Sequence, residues 1–512
     1  MTLGVQLRRR LLWPGRLLAG LAFGFGAVMA LGQAPLGLWP LSLAGLCALT
    51  FLVSRASTAG GAAWLGLLAG AGYFALALSW IVEPFLIEPE IYGWMAPFSV
   101  VFLSTGLGLF WAIAAGLAVW KEPDPARRAL RFALMLALVE LARGYVLTGF
   151  PWALIGHVWV DTPLAQLVAL IGPNGLTALT ALAASLPICL RARPFVAAGA
   201  VAILGIGGLG YGLDRLAQPA PMAPEVALRL VQPNAEQHLK WNPERAALFL
   251  ERQLDLTAAE PAPGKRRPDL VVWPETSVPY LLNRSEGVLG AIAVAGHGAT
   301  VVVGIQRTEG AQGWNSLAVI GPDATVRAVY DKHHLVPFGE YVPFGDLAWR
   351  WFGLAAFASQ TGNGYSAGSG AVVLDLGPAL GRALPLICYE AVFPQDLRAA
   401  PGRADFILQI TNDAWFGTLT GPWQHLAQAR LRAIEQGLPL IRAANTGVSA
   451  VIDARGRVTA FLPLGKAAFL DAALPGATAP PPYARFGDGP VLWVLLAGLG
   501  LALLATRLHR QA

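Results

Sequence analysis

Apolar residues fill the first two-fifths of the chain in long runs broken by short polar links. Seven runs lie near positions 12–32, 36–54, 60–81, 95–120, 127–143, 164–190 and 194–213, and an eighth near 490–507. A helix needs roughly 20 apolar residues to cross the hydrocarbon core of a bilayer, so the pattern predicts eight transmembrane helices, some of them short. Residues 220–485 differ: β-branched stretches alternate with polar and helical ones, and most acidic residues collect there. The organisation read from this pattern is a seven-helix transmembrane domain over 1–215, a second domain over 220–485 and an eighth transmembrane helix over 490–507.

Within the second domain, residues 226–231 (VALRLV), 300–304 (TVVVG), 316–320 (SLAVI), 383–387 (ALPLI) and 405–410 (DFILQI) read as strands. Residues 269–275 (DLVVWPE) read as a buried strand ending in a carboxylate, with Pro274 turning the chain out of the sheet. Strands alternating with helical stretches predict an α/β layered core. In such cores chemistry gathers where strands end, and Glu275, Cys388 and Asn412 each follow an apolar strand.

Composition supports the membrane reading. Of 512 residues 55% are hydrophobic and 13% charged, against roughly a quarter charged in soluble domains. The net charge of +6 is spread over short loops, which argues against a nucleic-acid surface and suits orientation in a bilayer. Arg8, Arg9, Arg10 and Arg16, Arg55, Lys121 with Arg127 and Arg128, Arg191 with Arg193, and Arg507 with Arg510 fall on one set of alternating loops. Glu83, Glu88, Glu90 and Asp161 fall on the other, so both termini are expected in the cytoplasm and residues 220–485 outside it. The arginines before the first run are also compatible with a signal peptide; because six further spans follow, the first helix is expected to be retained.

Cys47 and Cys189 sit in apolar runs and read as buried side chains. Three widely spaced cysteines form neither a disulfide framework nor a zinc site, and adjacent His333 and His334 lack a third ligand, so neither metal nor cofactor is expected. Glu140 and Arg143 read as a helix-end pair reaching the interface or a lipid headgroup, and residues 150–157 as an interfacial anchor. Asn412 and Asp413 read as turn formers with a possible support role. Acyl transfer through cysteine needs a thiol, a base and a positive charge for the oxyanion, and Cys388, Glu275 and Lys332 supply these residue types.

Trp273-Pro274-Glu275, the stretch 331–340 (DKHHLVPFGE) and Ile387-Cys388-Tyr389-Glu390 resemble the three catalytic blocks of the nitrilase, or carbon–nitrogen hydrolase, superfamily. The words 337–343 (PFGEYVP), 411–417 (TNDAWFG), 421–425 (GPWQH) and 442–447 (RAANTG) resemble the apolipoprotein N-acyltransferase family, over the whole chain. That resemblance implies a polytopic helical membrane domain with an αββα sandwich outside the cytoplasm, in a bacterial inner membrane with its catalytic domain on the periplasmic side. It implies Cys388 as nucleophile, Glu275 as general base and Lys332 as oxyanion partner, acting by a ping-pong route. Glu340, Tyr389 and Glu390 are implied as supporting residues and Trp241 as a lipid contact. Glu390 is read either as a partner of Lys332 or as a structural acceptor, and residues 360–370 as a mobile loop near the site. The substrates implied are a phospholipid donor, typically phosphatidylethanolamine, and a diacylated apolipoprotein acceptor, handled by a monomer.

The sequence leaves two rival readings. One is a membrane-tethered nitrilase-type amidase that passes the acyl group to water. The other is a transporter whose outer domain only binds, against which the spans carry few polar residues and no inverted repeat.

Overall fold

In the computed structural model the described residues are 15–342 and 364–511. Arg8, Arg9, Arg10, Pro343 and residues 360–363 lie outside them. A helix stands in each apolar run: α1 Arg16–Ala30, α2 Trp39–Arg55, α3 Ala59–Ala77, α4 Ala96–Val119, α5 Pro125–Arg143, α6 Val168–Cys189 and α7 Pro194–Ala217, with Gly489–Gln511 at the C-terminal end. Among the described residues five stretches, Ala59–Ala77, Pro89–Val119, Pro163–Cys189, Pro194–Ala217 and Gly489–Arg507, are long and apolar enough to cross a membrane; Arg16–Ala30 and Trp39–Arg55 are apolar but shorter.

The chain divides into two units. The first comprises Met1–Gln218, Leu419–Ala427 and Pro482–Ala512, and the second Pro219–Thr418 with Gln428–Pro481. Small residues set the helix packing in the first: a Cβ on Gly66 of α3 would lie 2.4 Å from the Trp111 carbonyl of α4, so only glycine allows that approach. Large apolar side chains such as Phe98, Phe102, Phe195, Ile203, Ile206 and Trp493 face outward from this unit. In water such a surface would be costly; hydrocarbon accommodates it.

Two expectations about this unit are corrected. Glu140 and Arg143 do not reach an interface; they are 0% and 1% exposed. Arg143 pairs with Glu140 at 2.6 Å, donates to the carbonyls of Phe150 and Trp152, and lies over the Phe74 ring, while Trp111 Nε1 donates to Glu140 at 2.9 Å. Partners from three other places in the sequence satisfy both charges, so neither needs a headgroup. Residues 150–157 are likewise interior: Trp152 is buried against Trp80 and donates to Gln424 Oε1 at 2.7 Å.

Among its described residues the second unit holds two six-stranded sheets. The first contains β1 Ala227–Gln232, β2 Leu270–Val272, β3 Thr300–Glu309, β4 Gln312–Ile320, β5 Val326–Asp331 and β12 Ala468–Ala473, in the order β12-β1-β2-β3-β4-β5. The second contains β6 Leu374–Asp375, β7 Arg382–Ile387, β8 Phe406–Thr411, β9 Leu440–Ala444, β10 Ser449–Ile452 and β11 Val458–Leu462, in the order β11-β10-β9-β8-β7-β6. In each sheet the three parallel strands, β1-β2-β3 and β7-β8-β9, are largely buried, as expected for strands covered on both faces. Strand β1 lies against β9 and β10, and Ser449 Oγ donates to Gln232 Oε1 at 2.6 Å across the two sheets. Helices Pro243–Ala258 and Glu286–Ala295 cover the first sheet through Leu250, Leu289 and Ile292, which pack on Val271, Val301 and Val303. This α/β architecture brings the ends of β2, β5, β7 and β8 to one place.

Candidate active site

Glu275 sits where the chain leaves β2. Pro274 has no N–H to continue the ladder, so the strand ends there. The turn is pressed onto Gly304 of β3: an added Cβ would lie 2.4 Å from the Pro274 carbonyl and 2.5 Å from Thr276 N. Gly304 O accepts from Ser277 N at 2.8 Å and from Val278 N at 3.1 Å, which holds the far side of the turn. The Glu275 carboxylate, almost fully buried, then has fixed partners. Oε1 accepts from Asn315 Nδ2 at 2.7 Å, Oε2 from the Asn412 backbone N–H at 2.8 Å, and Lys332 Nζ lies 3.5 Å from Oε1.

Lys332 follows β5 directly and is 1% exposed. Its ammonium donates to Glu340 Oε1 at 2.9 Å, and Asn315 Nδ2 reaches the same oxygen at 3.1 Å. Burial works against a charge there, but Glu340 and then Glu275 outweigh it and raise the lysine above its ordinary value, so it stays charged. Glu340 Oε2 accepts from Val336 N at 2.9 Å, which fixes that carboxylate from its own loop. The described part of the glycine-rich stretch, 364–370, bonds to this loop: Tyr365 N donates to Glu340 O at 2.8 Å and Gly368 N to Lys332 O at 2.9 Å.

Cys388 is the first residue beyond β7 and has φ 51°, a left-handed conformation that costs a residue with a Cβ. The thiol is buried and hydrogen-bonded with the Thr411 side chain. Burial pushes its pKa well above the ordinary thiol range; the Glu275 charge pushes the same way, and Lys332 and Thr411 oppose them. Such a thiol rests protonated, so it needs a base to become a nucleophile. Glu390 braces the turn: Oε2 accepts from Ile387 N at 2.7 Å, and Oε1 from Tyr330 Oη and His333 N, both at 2.8 Å. These contacts match the structural-acceptor reading of Glu390; its partners among the described residues do not include Lys332. Tyr389 is buried with its ring edge-on to Phe393, 4.9 Å between centroids.

The structure thus gathers Glu275, Lys332 and Glu340 around Asn315, sets the Cys388 thiol within electrostatic reach of Glu275 and Lys332, and places Tyr389 and Glu390 next to it on the same turn. Half-buried Trp241 lines a pocket with Lys240, Phe249, Pro279 and Glu275. His333 and His334 turn to Glu390 and Asp396, and no cluster of three or more metal-type ligands occurs among the described residues. Asn412 does more than shape a turn, since its N–H holds Glu275 and its side chain bonds with Gln237 and Asn445. Sequence reasoning missed Asn315, Thr411 and Lys240. Lys240 and Asn315 stand among other polar residues and Thr411 opens the word 411–417, and no spacing marks any of them as part of a site.

Chemically, a protonated thiol, a carboxylate and a fixed ammonium form a set that can attack a carbonyl and hold the resulting oxyanion. Residues 25–186 match the apolipoprotein N-acyltransferase N-terminal domain, and residues 228–479 match the carbon-nitrogen hydrolase family. An apolipoprotein N-acyltransferase of Caulobacter vibrioides is 38% identical, over 94% of this chain and 93% of its own length. One from Rhizobium meliloti is 38% identical over 88% of each chain, and one from Rhodopseudomonas palustris 36% identical over 97% of this chain and 96% of its own.

Proposed function

The chain belongs to the apolipoprotein N-acyltransferase family, and from that premise we propose that it moves an acyl chain from a phospholipid, through a thioester on Cys388, to the N-terminal amine of a diacylglyceryl-cysteine lipoprotein. The observation that carries the catalytic part is the placing of buried Glu275 and Lys332 together, both within electrostatic reach of the Cys388 thiol.

Glu275 takes the thiol proton as sulfur attacks the ester carbonyl of the donor, phosphatidylethanolamine in this reading. Lys332 faces the oxyanion of the tetrahedral species. The C–O bond breaks, the departing lysophospholipid oxygen takes the proton from Glu275, and a thioester remains. The lipoprotein amine, unprotonated, then attacks and gives one proton to Glu275. The C–S bond breaks, an amide forms, and Glu275 returns the proton to Cys388. The enzyme ends as it began, which is the ping-pong pattern. Glu340 supports Lys332, and Tyr389 with Glu390 supports the Cys388 turn, while Trp241 contacts lipid. Exclusion of water from the thioester separates this transferase from an amidase with the same residues, and membership in the transferase family favours transfer.

The same reading takes the eight helices as spans of a bacterial inner membrane, with residues 1–215 and 490–507 embedded, both termini cytoplasmic, and 220–485 a periplasmic catalytic domain of a monomer. The loop charges and the even helix count support it. Mass spectrometry of purified enzyme incubated with phospholipid tests the chemistry. One acyl mass should appear on the Cys388 peptide and be absent in Glu275→Ala. Added diacylated lipopeptide should discharge it as N-acylated peptide; free fatty acid alone would move the reading to the amidase.

A further inference from the structure

The Glu275 turn is gripped from a second side by a buried cation that the mechanism above does not use. Lys240 is 6% exposed, and its ammonium donates to the Glu275 carbonyl at 3.2 Å and to Thr276 Oγ1 at 2.6 Å. Thr276 has φ 46°, so the residue just after Glu275 is held in a left-handed conformation that its backbone would not choose freely. The turn also abuts the bare backbone of Gly304. The carboxylate is therefore aimed by a segment pinned by Gly304 and Lys240. We infer that Lys240 is a positioning residue for acyl transfer: its charged clamp on the Glu275–Thr276 backbone holds the general base in line with Cys388. The inference rests on the assignment of Glu275 as base.

Hydrogen bonds from a cation are roughly twice as strong as neutral ones, so the clamp depends on charge as well as on the donor atoms. Burial lowers Lys240 to about 8, with the Glu275 charge acting in the opposite direction. The clamp is at full strength below that value and weakens as pH rises through it. Glu275 is the charged group that faces it from the neighbouring turn, and Trp241 offers its ring 5.6 Å away. Elsewhere on the segment His238 and Glu236 are largely exposed, pair with each other at 3.5 Å and leave the lysine alone.

The test is single-turnover acylation of Cys388 by phospholipid vesicles, in full-length protein, from pH 6.5 to 9.5. Wild-type rates should fall above about pH 8. Lys240→Gln, which keeps donors but no charge, should be slower by on the order of tenfold at pH 7 and should lack that alkaline fall. Thr276→Val removes the other end of the clamp, and the double variant should be no slower than the slower single one, because both changes break one contact. Equal thermal unfolding of the variants in detergent separates this from misfolding. Should Lys240→Gln unfold early, Thr276→Val alone decides by the same rate comparison. Wild-type rates in either variant, an alkaline fall retained in Lys240→Gln, or additive losses overturn the inference. Absence of acylation in wild-type protein would instead overturn the proposed chemistry.

Discussion

Asn315 Nδ2 lies 2.7 Å from Glu275 Oε1 and so ties strand β4 to the carboxylate that ends β2. The same nitrogen reaches Glu340 at 3.1 Å, and the Asn315 carbonyl accepts from Lys332 N at 2.9 Å. One side chain thus spaces two carboxylates around one ammonium. Asn315→Leu should remove both hydrogen bonds, and the shorter one, to the Glu275 carboxylate, is worth about 1.5–3 kcal/mol. Where that is felt in the transition state, Cys388 acylation slows by on the order of ten- to a hundredfold. Acylation at the wild-type rate would show that the bridge has no part in aiming Glu275.

Lys332→Met should be worse, and in two ways. It leaves Glu275 and Glu340 buried with their shared cation gone, and breaking a buried pair costs about 3–5 kcal/mol. Thermal unfolding in detergent should fall accordingly, and acyl-enzyme should not form. Adding Glu340→Gln removes one of the stranded charges. It should recover part of the stability and none of the acylation, which separates Lys332's part in folding from the part proposed for it at the oxyanion.

The parts of this architecture legible in sequence are those where one residue's chemistry decides locally. Helices fall on all eight apolar runs because hydropathy alone specifies them. Strands such as β3 and β8 are readable because continuous β-branched or aliphatic runs suit burial on both faces. Strands β5, β9, β10, β11 and β12 are not: VRAVYD and VTAFL are largely exposed, LIRAA and AFLDAA lean on alanine, and the four residues of SAVI are too few to show a period. Arg442 in β9 looks foreign to a strand interior until Asp413, 29 positions away, neutralises it. Partners distant in sequence defeat local reading in the same way for Glu140 and Arg143. At the site, the strand-end positions of Glu275 and Cys388 are visible in the pattern, whereas the residues that orient them are not.

The membrane-side pair yields its own prediction. Arg143→Met strands the Glu140 charge and leaves the Phe150 and Trp152 carbonyls without this donor. A loss of about 3–5 kcal/mol follows, read as early thermal unfolding or rapid proteolysis of detergent-solubilised protein. Glu140→Gln with Arg143→Met should be milder, since no unpaired charge remains. Were the double variant as unstable as the single, packing and not charge would govern this cluster.

His333 gives a pH dependence of defined sign. Burial opposes its charge, but the hydrogen bonds to Asp396 and Glu390 prevail and raise it to about 10. A raised histidine contributes stability that is full below its unfolded value of about 6.5 and is lost as pH rises through the folded value. The unfolding-temperature gap between wild type and His333→Gln should therefore be widest below about pH 6.5 and close towards pH 10. Asp396 behaves oppositely: burial is outweighed by its bonds to His333 and His334, its pKa is depressed, and its contribution goes as pH falls through the acid range. A gap that widens with rising pH would contradict the pairing.

The backbone at Cys388 permits a test of whether the site stores strain. Its φ of 51° carries no penalty for glycine, whereas a residue with a Cβ is held there at a cost of about 1–2 kcal/mol. Glu390, gripping Ile387 N with one oxygen and the 330–333 segment with the other, is the evident restraint. Cys388→Ala and Cys388→Gly both remove the thiol and should form no acyl-enzyme. They should differ in stability, with Cys388→Gly unfolding at the higher temperature despite its more flexible unfolded chain. With Glu390→Gln added, the restraint weakens, the turn relaxes, and the difference between alanine and glycine should shrink. If alanine is the more stable of the two in the wild-type background, the turn is unstrained, and the positive φ follows from how β7 ends and not from how the thiol must be presented.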